Sequence, residues 1–200
     1  MQISTRLLSF FNVRTRARRA GALLVVAGLA SGPLVSGCAK VQDDNSSSYL
    51  IIAELNSISG STGTLSAVLF SDVLTLGGVT NDGAKVKFEL GMKNATLTPS
   101  SANFITINRY RVEFARSDGG TGVPAPIEGS FTVTVSGGDS QGAFILVSST
   151  MKENSPLVQL GGTPTEIHTI ATITFFGRDQ AGRDVQATAQ ISVHFADWAD

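Results

Sequence analysis

Residues 185–195, VQATAQISVHF, place an apolar side chain at each odd position (Val185, Ala187, Ala189, Ile191, Val193, Phe195) and a polar one at each even position. Successive side chains of a strand point to opposite faces, so this run has one dry face and one wet face. A helix would need apolar residues every three or four positions, which eleven residues of strict alternation exclude. The same period returns in residues 85–93, where Val86, Phe88, Leu90 and Met92 alternate with Lys85, Lys87, Glu89 and Lys93. Further strands are expected at about 49–56, 65–75, 103–116, 129–136, 143–151 and 165–177, separated by glycine and Asn/Asp clusters that read as turns. The expectation is an all-β, antiparallel sandwich of seven or eight strands.

The last two strands are specified most closely. Between Phe176 and Val185 lies GRDQAGRD, and a three-residue loop, Gln180-Ala181-Gly182, puts Gly182 in the left-handed conformation that closes a type I turn with a bulge. The hairpin is then centred on Ala181. Phe175 faces Ala187, Ile173 faces Ala189, Ala171 faces Ile191, and on the outer face His168 lies opposite His194. Large opposes small along the inner row, as close packing favours. In residues 104–114 the phase slips, with Ile105 and Ile107 odd but Tyr110, Val112 and Phe114 even. A bulge or bend near Asn108-Arg109 is required, and a strand bending from one sheet to the other is the expected form.

The segment ITFFGRDQAGRDVQATAQISVHF, residues 173–195, resembles the closing hairpin of bacterial immunoglobulin-like domains, in which an Asp-x-Ala-Gly-Asn/Asp turn joins the final strands. Arg183 stands where that pattern usually has Asn. The resemblance implies an immunoglobulin-like β-sandwich and says nothing of activity, since such sandwiches carry many functions. The paired cysteines and core tryptophan of antibody domains are missing; Trp198 follows the final strand, where it is expected to pack back onto the domain.

The other end of the chain has a different organisation. Arg6, Arg14, Arg16, Arg18 and Arg19 form an acid-free basic start, and residues 20–39 carry no charge around Leu23, Leu24, Val25, Val26 and Leu29. This is the layout of a signal peptide. A retained membrane helix is the competing reading, opposed by Gly21, Gly28, Gly32, Pro33 and Gly37. The stretch ends in Leu34-Val35-Ser36-Gly37-Cys38, and Cys38 is the sole cysteine. That run resembles the lipobox of bacterial lipoproteins, with Val35 where Leu is commoner. The resemblance implies that Cys38 receives a diacylglyceryl thioether, that cleavage precedes it, and that its amino group is acylated. Several acyl chains anchor stably where one does not. Ala39, in place of an aspartate, implies the outer membrane. Arg18-Arg19 lacks the residues that flank a twin-arginine signal.

The expected organisation is therefore a signal peptide over residues 1–37, lipidated Cys38 with a flexible tether through residue 48, and a sandwich domain over residues 49–200. The tether AKVQDDNSSS has no apolar period and reaches at most about 33 Å. All five charges before Cys38 are arginines, so the 15 basic residues fall to 10 against 16 acidic, a formal charge of −6. An acidic domain is a poor partner for nucleic acid or anionic headgroups, which excludes nucleic-acid binding. With Cys38 acylated no disulfide is available, and roughly 150 residues can bury enough surface to stand on packing alone.

Few side chains suggest chemistry. His168 and His194 face each other and are the candidate metal ligands, but zinc sites take three or four protein ligands, and only Glu166 and Asp197 lie near in sequence. A solvated cross-strand pair is the expectation. Asp118, Asp139, Asp179 and Asp184 lie in turns that offer calcium its preferred oxygens, yet Asp is a common turn residue and no acidic string converges. Ser59-Gly60-Ser61 and Ser136-Gly137-Gly138 read as turns. Nucleophilic catalysis is not expected with both histidines in one wet pair, and GGTPTE at 161–166 lacks a phosphate-loop lysine. Among the aromatics only Tyr110, Phe176 and Trp198 are candidates for an exposed sugar platform, the rest being core. The functional expectation is a noncatalytic, envelope-anchored structural or protein-interaction module. It needs no cofactor, and its partners are the membrane and other envelope proteins. Ligand or metal binding is the alternative, and an envelope hydrolase a third reading resting on compartment alone.

Overall fold

The computed structural model describes residues 45–76 and 78–198, all within the compact unit Ser36–Asp200. The expected leader, Cys38 and the start of the tether lie outside the described residues. Alternation along the chain produces two sheets. The first contains β1 (Ser48–Ile58), the two-residue β2 (Leu65–Ser66), β4 (Asp82–Met92) and β7 (Ser140–Val147), in the order β2-β1-β4-β7. The second contains β3 (Val68–Asp72), β5 (Ile105–Arg116), β6 (Ile127–Val135), β8 (Ile167–Asp179) and β9 (Asp184–Ala196), in the order β3-β9-β8-β5-β6. The fold is an all-β sandwich.

The β8–β9 hairpin has the register that its turn dictates: Phe175 pairs with Ala187, Ile173 with Ala189, Ala171 with Ile191, and His168 with His194. Gly182 sits at φ 83°, a conformation glycine adopts without a Cβ penalty. Its N–H donates to the Asp179 carbonyl at 2.9 Å, and the Asp179 N–H donates to the Arg183 carbonyl at 2.9 Å. Val185, Ala187, Ile191, Val193 and Phe195 are buried as the alternation requires.

The phase slip in β5 is a bulge at Asn108, not a bend between sheets. From Ile107 to Arg109 the strand advances two residues while β8 advances one, Gly177 to Phe176. The strand keeps both neighbours in the second sheet. A Cβ on Gly177 would lie 2.6 Å from the Thr106 carbonyl oxygen and 2.9 Å from the Ile107 Cα, so the bulge closes only over a glycine.

Two further expectations are corrected. Residues 65–75 are not one strand: β2 pairs with β1, the chain bends at Ala67, and β3 joins the second sheet beside β9. Nine strands result among the described residues. Because β3 crosses over without reversing, it runs parallel to β9, so the sandwich is not wholly antiparallel. The strand expected over 143–151 stops at Val147, where Ser148 accepts a hydrogen bond from the Met151 N–H at 3.1 Å and starts the single turn α1 (Ser149–Lys152).

Five rings fill the centre. Phe88 and Phe175 meet edge to face at 5.0 Å, Phe144 and Phe175 at 5.3 Å, while Tyr110 and Phe144 tilt together at 4.8 Å with Phe131 alongside. Edge contacts of this kind add to the burial of the rings. Met151, Leu157 and Leu160, from the segment between β7 and β8, close one region of this core.

Candidate functional site

The sheet switch at Ala67 leaves β2 as the border of one sheet and β3 as the border of the other. The loops around this border, residues 59–64, 73–76 and 78–80, enclose a cleft of about 740 Å³ with Phe70, Leu76 and Trp198 among its walls. Eight of its fifteen lining residues carry a hydroxyl. The loop from 59 to 64 is tied by Gly63 N–H to the Ser59 carbonyl at 2.8 Å and by Ser59 N–H to the Thr64 carbonyl at 3.2 Å. On the opposite wall Asp72 accepts from the Leu74 and Trp198 N–H groups, each at 3.3 Å. Trp198 therefore packs back onto the domain, with its ring 5.8 Å from that of Phe70.

Beneath the cleft lies a charge network absent from the sequence-based expectations. Lys152 and Asp82 are each 1 % exposed, with Lys152 Nζ 2.8 Å from Asp82 Oδ2. Lys152 also donates to the Asp72 carbonyl at 2.7 Å. Asp82 accepts from the Ser71 hydroxyl at 2.6 Å and from the Gly60 N–H at 2.7 Å. The network joins α1, β3, β4 and the 59–64 loop, so it fixes both walls of the cleft relative to each other.

The outer face of the second sheet carries a row of rings. Phe70 pairs with His194 across β3 and β9, and His194 with His168 across β9 and β8. Ring centroids are 5.2 Å apart for Phe70 and His194 and 4.3 Å for the two histidines. Burial, followed by the neighbouring His168, holds the His194 imidazole below its ordinary pKa, against a smaller upward pull from Glu166. Of the two carboxylates near in sequence, Glu166 lies 3.1 Å from His168 Nε2 and Asp197 accepts from the Gly162 N–H instead. Among the described residues no group of three metal-ligating side chains converges.

The turn aspartates are engaged one by one. Asp118 is clamped by Arg116 through two contacts of 2.8 and 2.6 Å and accepts from Gly120 N–H; the arginine, then the amide, hold its carboxyl well below the usual range. Asp139 pairs with Lys87 at 3.0 Å, and Asp184 with Arg178 at 2.7 Å. Asp179 is buried; burial opposes its charge, but the Arg183 amide at 2.9 Å and the Ser46 hydroxyl at 2.8 Å help to keep its pKa below the ordinary value.

The exposed aromatics are not the ones the sequence singled out. Tyr110 is 5 % exposed, its hydroxyl donating to the Ile145 carbonyl at 3.0 Å. Phe176 lies under the Arg109 guanidinium, 4.1 Å from ring centre to Cζ. Phe70, which strand alternation alone did not single out, is 53 % exposed.

Two short patterns also escaped the sequence reading. Gly138-Asp139-Ser140-Gln141-Gly142 fits G-x-S-x-G and Ser149-Thr150-Met151-Lys152 fits S-x-x-K. Ser140 opens a strand instead of a helix and donates to the Thr134 carbonyl at 3.2 Å, so it is not on a strand-to-helix elbow. Lys152 is committed to Asp82 and Asp72 in the interior. Comparison with protein-family models, with curated proteins and with solved structures finds no match for this chain.

Proposed function

We propose that this chain is a bacterial lipoprotein, anchored through Cys38 in the cell envelope, with its sandwich serving as a noncatalytic recognition module. The observation that carries the proposal is the order of the first 38 residues: arginines, an uncharged apolar stretch, then Leu34-Val35-Ser36-Gly37-Cys38 with no other cysteine in the chain. The resemblance of residues 173–195 to the closing hairpin of bacterial immunoglobulin-like domains supports the second half of the reading. The buried Lys152–Asp82 pair and the individually engaged turn aspartates support it further, since each of these groups has a structural task. The outer membrane is the proposed location, on the strength of Ala39. Growth with an alkyne-tagged palmitate tests the anchor. The wild-type chain is expected to take the label and to fractionate with membranes, and Cys38→Ser to do neither; an unlabelled wild-type chain overturns the proposal.

A further inference from the structure

We infer that the cleft beside β3 is a binding site for a neutral oligosaccharide. The inference rests on the reading of the sandwich as a noncatalytic recognition module and names its ligand class.

Size comes first. A volume of about 740 Å³ falls within the ~300–1,000 Å³ typical of small-ligand sites. Charge comes next. Among the described lining residues there is no lysine, arginine or histidine, and the one carboxylate, Asp72, is 8 % exposed and accepts from two backbone amides. A phosphate or carboxylate ligand would find no cation there, and a cation would find no outward-facing anion. A neutral ligand remains.

The walls then specify which neutral ligand. A sugar ring presents apolar C–H patches and a rim of hydroxyls that both donate and accept. Phe70, 53 % exposed, and Leu76, 83 % exposed, offer apolar surface to the first. The hydroxyls of the 59–64 loop, Ser66 and Thr75 answer the second: Thr62 and Ser66 accept from the Thr64 and Val68 N–H groups and keep a proton to donate, while Thr75 donates to the Gly78 carbonyl and keeps lone pairs to accept. A peptide added to the open border of β3 would draw on main-chain groups, and hydroxyl side chains on more than half of the lining positions would be superfluous to it.

Two polar atoms point the same way. Among the described residues three buried side-chain polar atoms lack a hydrogen-bond partner, and two of them, Thr80 Oγ1 and Trp198 Nε1, belong to residues lining this cleft. An unsatisfied buried group is costly and calls for a partner. A ligand hydroxyl seated against Thr80 and Trp198 would supply that partner, over a floor that the Lys152–Asp82 network holds in place.

Trp198 is the sole tryptophan of the chain, so its fluorescence reports on this cleft alone. The full-length chain is titrated with maltotetraose, cellotetraose and chitotetraose, and labelled protein is applied to an array of neutral glycans. The expected result is a saturable change in Trp198 emission with a neutral oligosaccharide. Phe70→Ala weakens it by roughly tenfold. Thr80→Val weakens it severalfold, while Arg178→Gln, on the β8–β9 hairpin, leaves it unchanged. Circular dichroism melts check that the variants are folded. No saturable response up to ~10 mM together with an empty array overturns the inference, as does binding that Phe70→Ala leaves intact or that only peptides produce. Palmitate labelling of Cys38 fails or succeeds independently of this titration, so loss of the anchor and loss of the sugar site are told apart.

Discussion

An ammonium group taken out of water loses several kcal/mol of solvation, and Lys152 offsets that loss with the Asp82 carboxylate and the Asp72 carbonyl. Removing only the lysine strands the carboxylate with nothing but the Ser71 hydroxyl and Gly60 N–H. Lys152→Met is therefore expected to lower unfolding free energy by about 3–5 kcal/mol, and Lys152→Met with Asp82→Leu by distinctly less, because no lone charge is left behind. Urea denaturation measures both; a single-variant loss under about 1 kcal/mol would contradict a dry ion pair, since that is the worth of an exposed one. This pair was illegible in the sequence. Lysine is normally solvated, and nothing near residue 152 signals that its side chain reaches strands 70 and 80 residues away. The facing histidines, by contrast, were legible, because one glycine turn fixed their register.

At the scale of the element, what a turn or a parity change encodes could be read directly, and what a strand's neighbours impose could not. Gly182 announces its hairpin, and the change from odd to even apolar positions in β5 announces the bulge at Asn108. The partner of that bulge, Gly177, became meaningful only once β8 was seen to pass beneath Thr106 and Ile107. The break at Ala67 left no mark, since Leu65, Leu69 and Val73 keep the same parity through the change of sheets. Phe70 was lost with it, as one strand's outer face looks like another's until the border is known. Gly177→Ala tests the bulge: its Cβ meets backbone at 2.6 Å, where nothing flexible can yield, and a cost of about 1–3 kcal/mol follows from overpacking. A thermal melt unchanged from wild type would mean that β5 and β8 do not pair through this bulge.

Over the whole molecule the dry centre is built from rings of both sheets and needs no covalent staple. Phe88 and Phe144 come from one layer, and Tyr110, Phe131 and Phe175 from the other. The feature that turns a plain sandwich into one with a cleft is the crossing from β2 to β3, which leaves both sheets bordered by neighbouring loops. If β3 did not lie parallel to β9, the Phe70–His194–His168 row, the Trp198 contact and the cleft would all disappear together. Backbone NOEs in the isotopically labelled protein decide this most directly. The account predicts cross-strand contacts in parallel register, Leu69 with Val193 and Ser71 with Phe195, beside the antiparallel contacts of β8 with β9. Antiparallel contacts from residues 68–72, or contacts from them to β1 in place of β9, would contradict it.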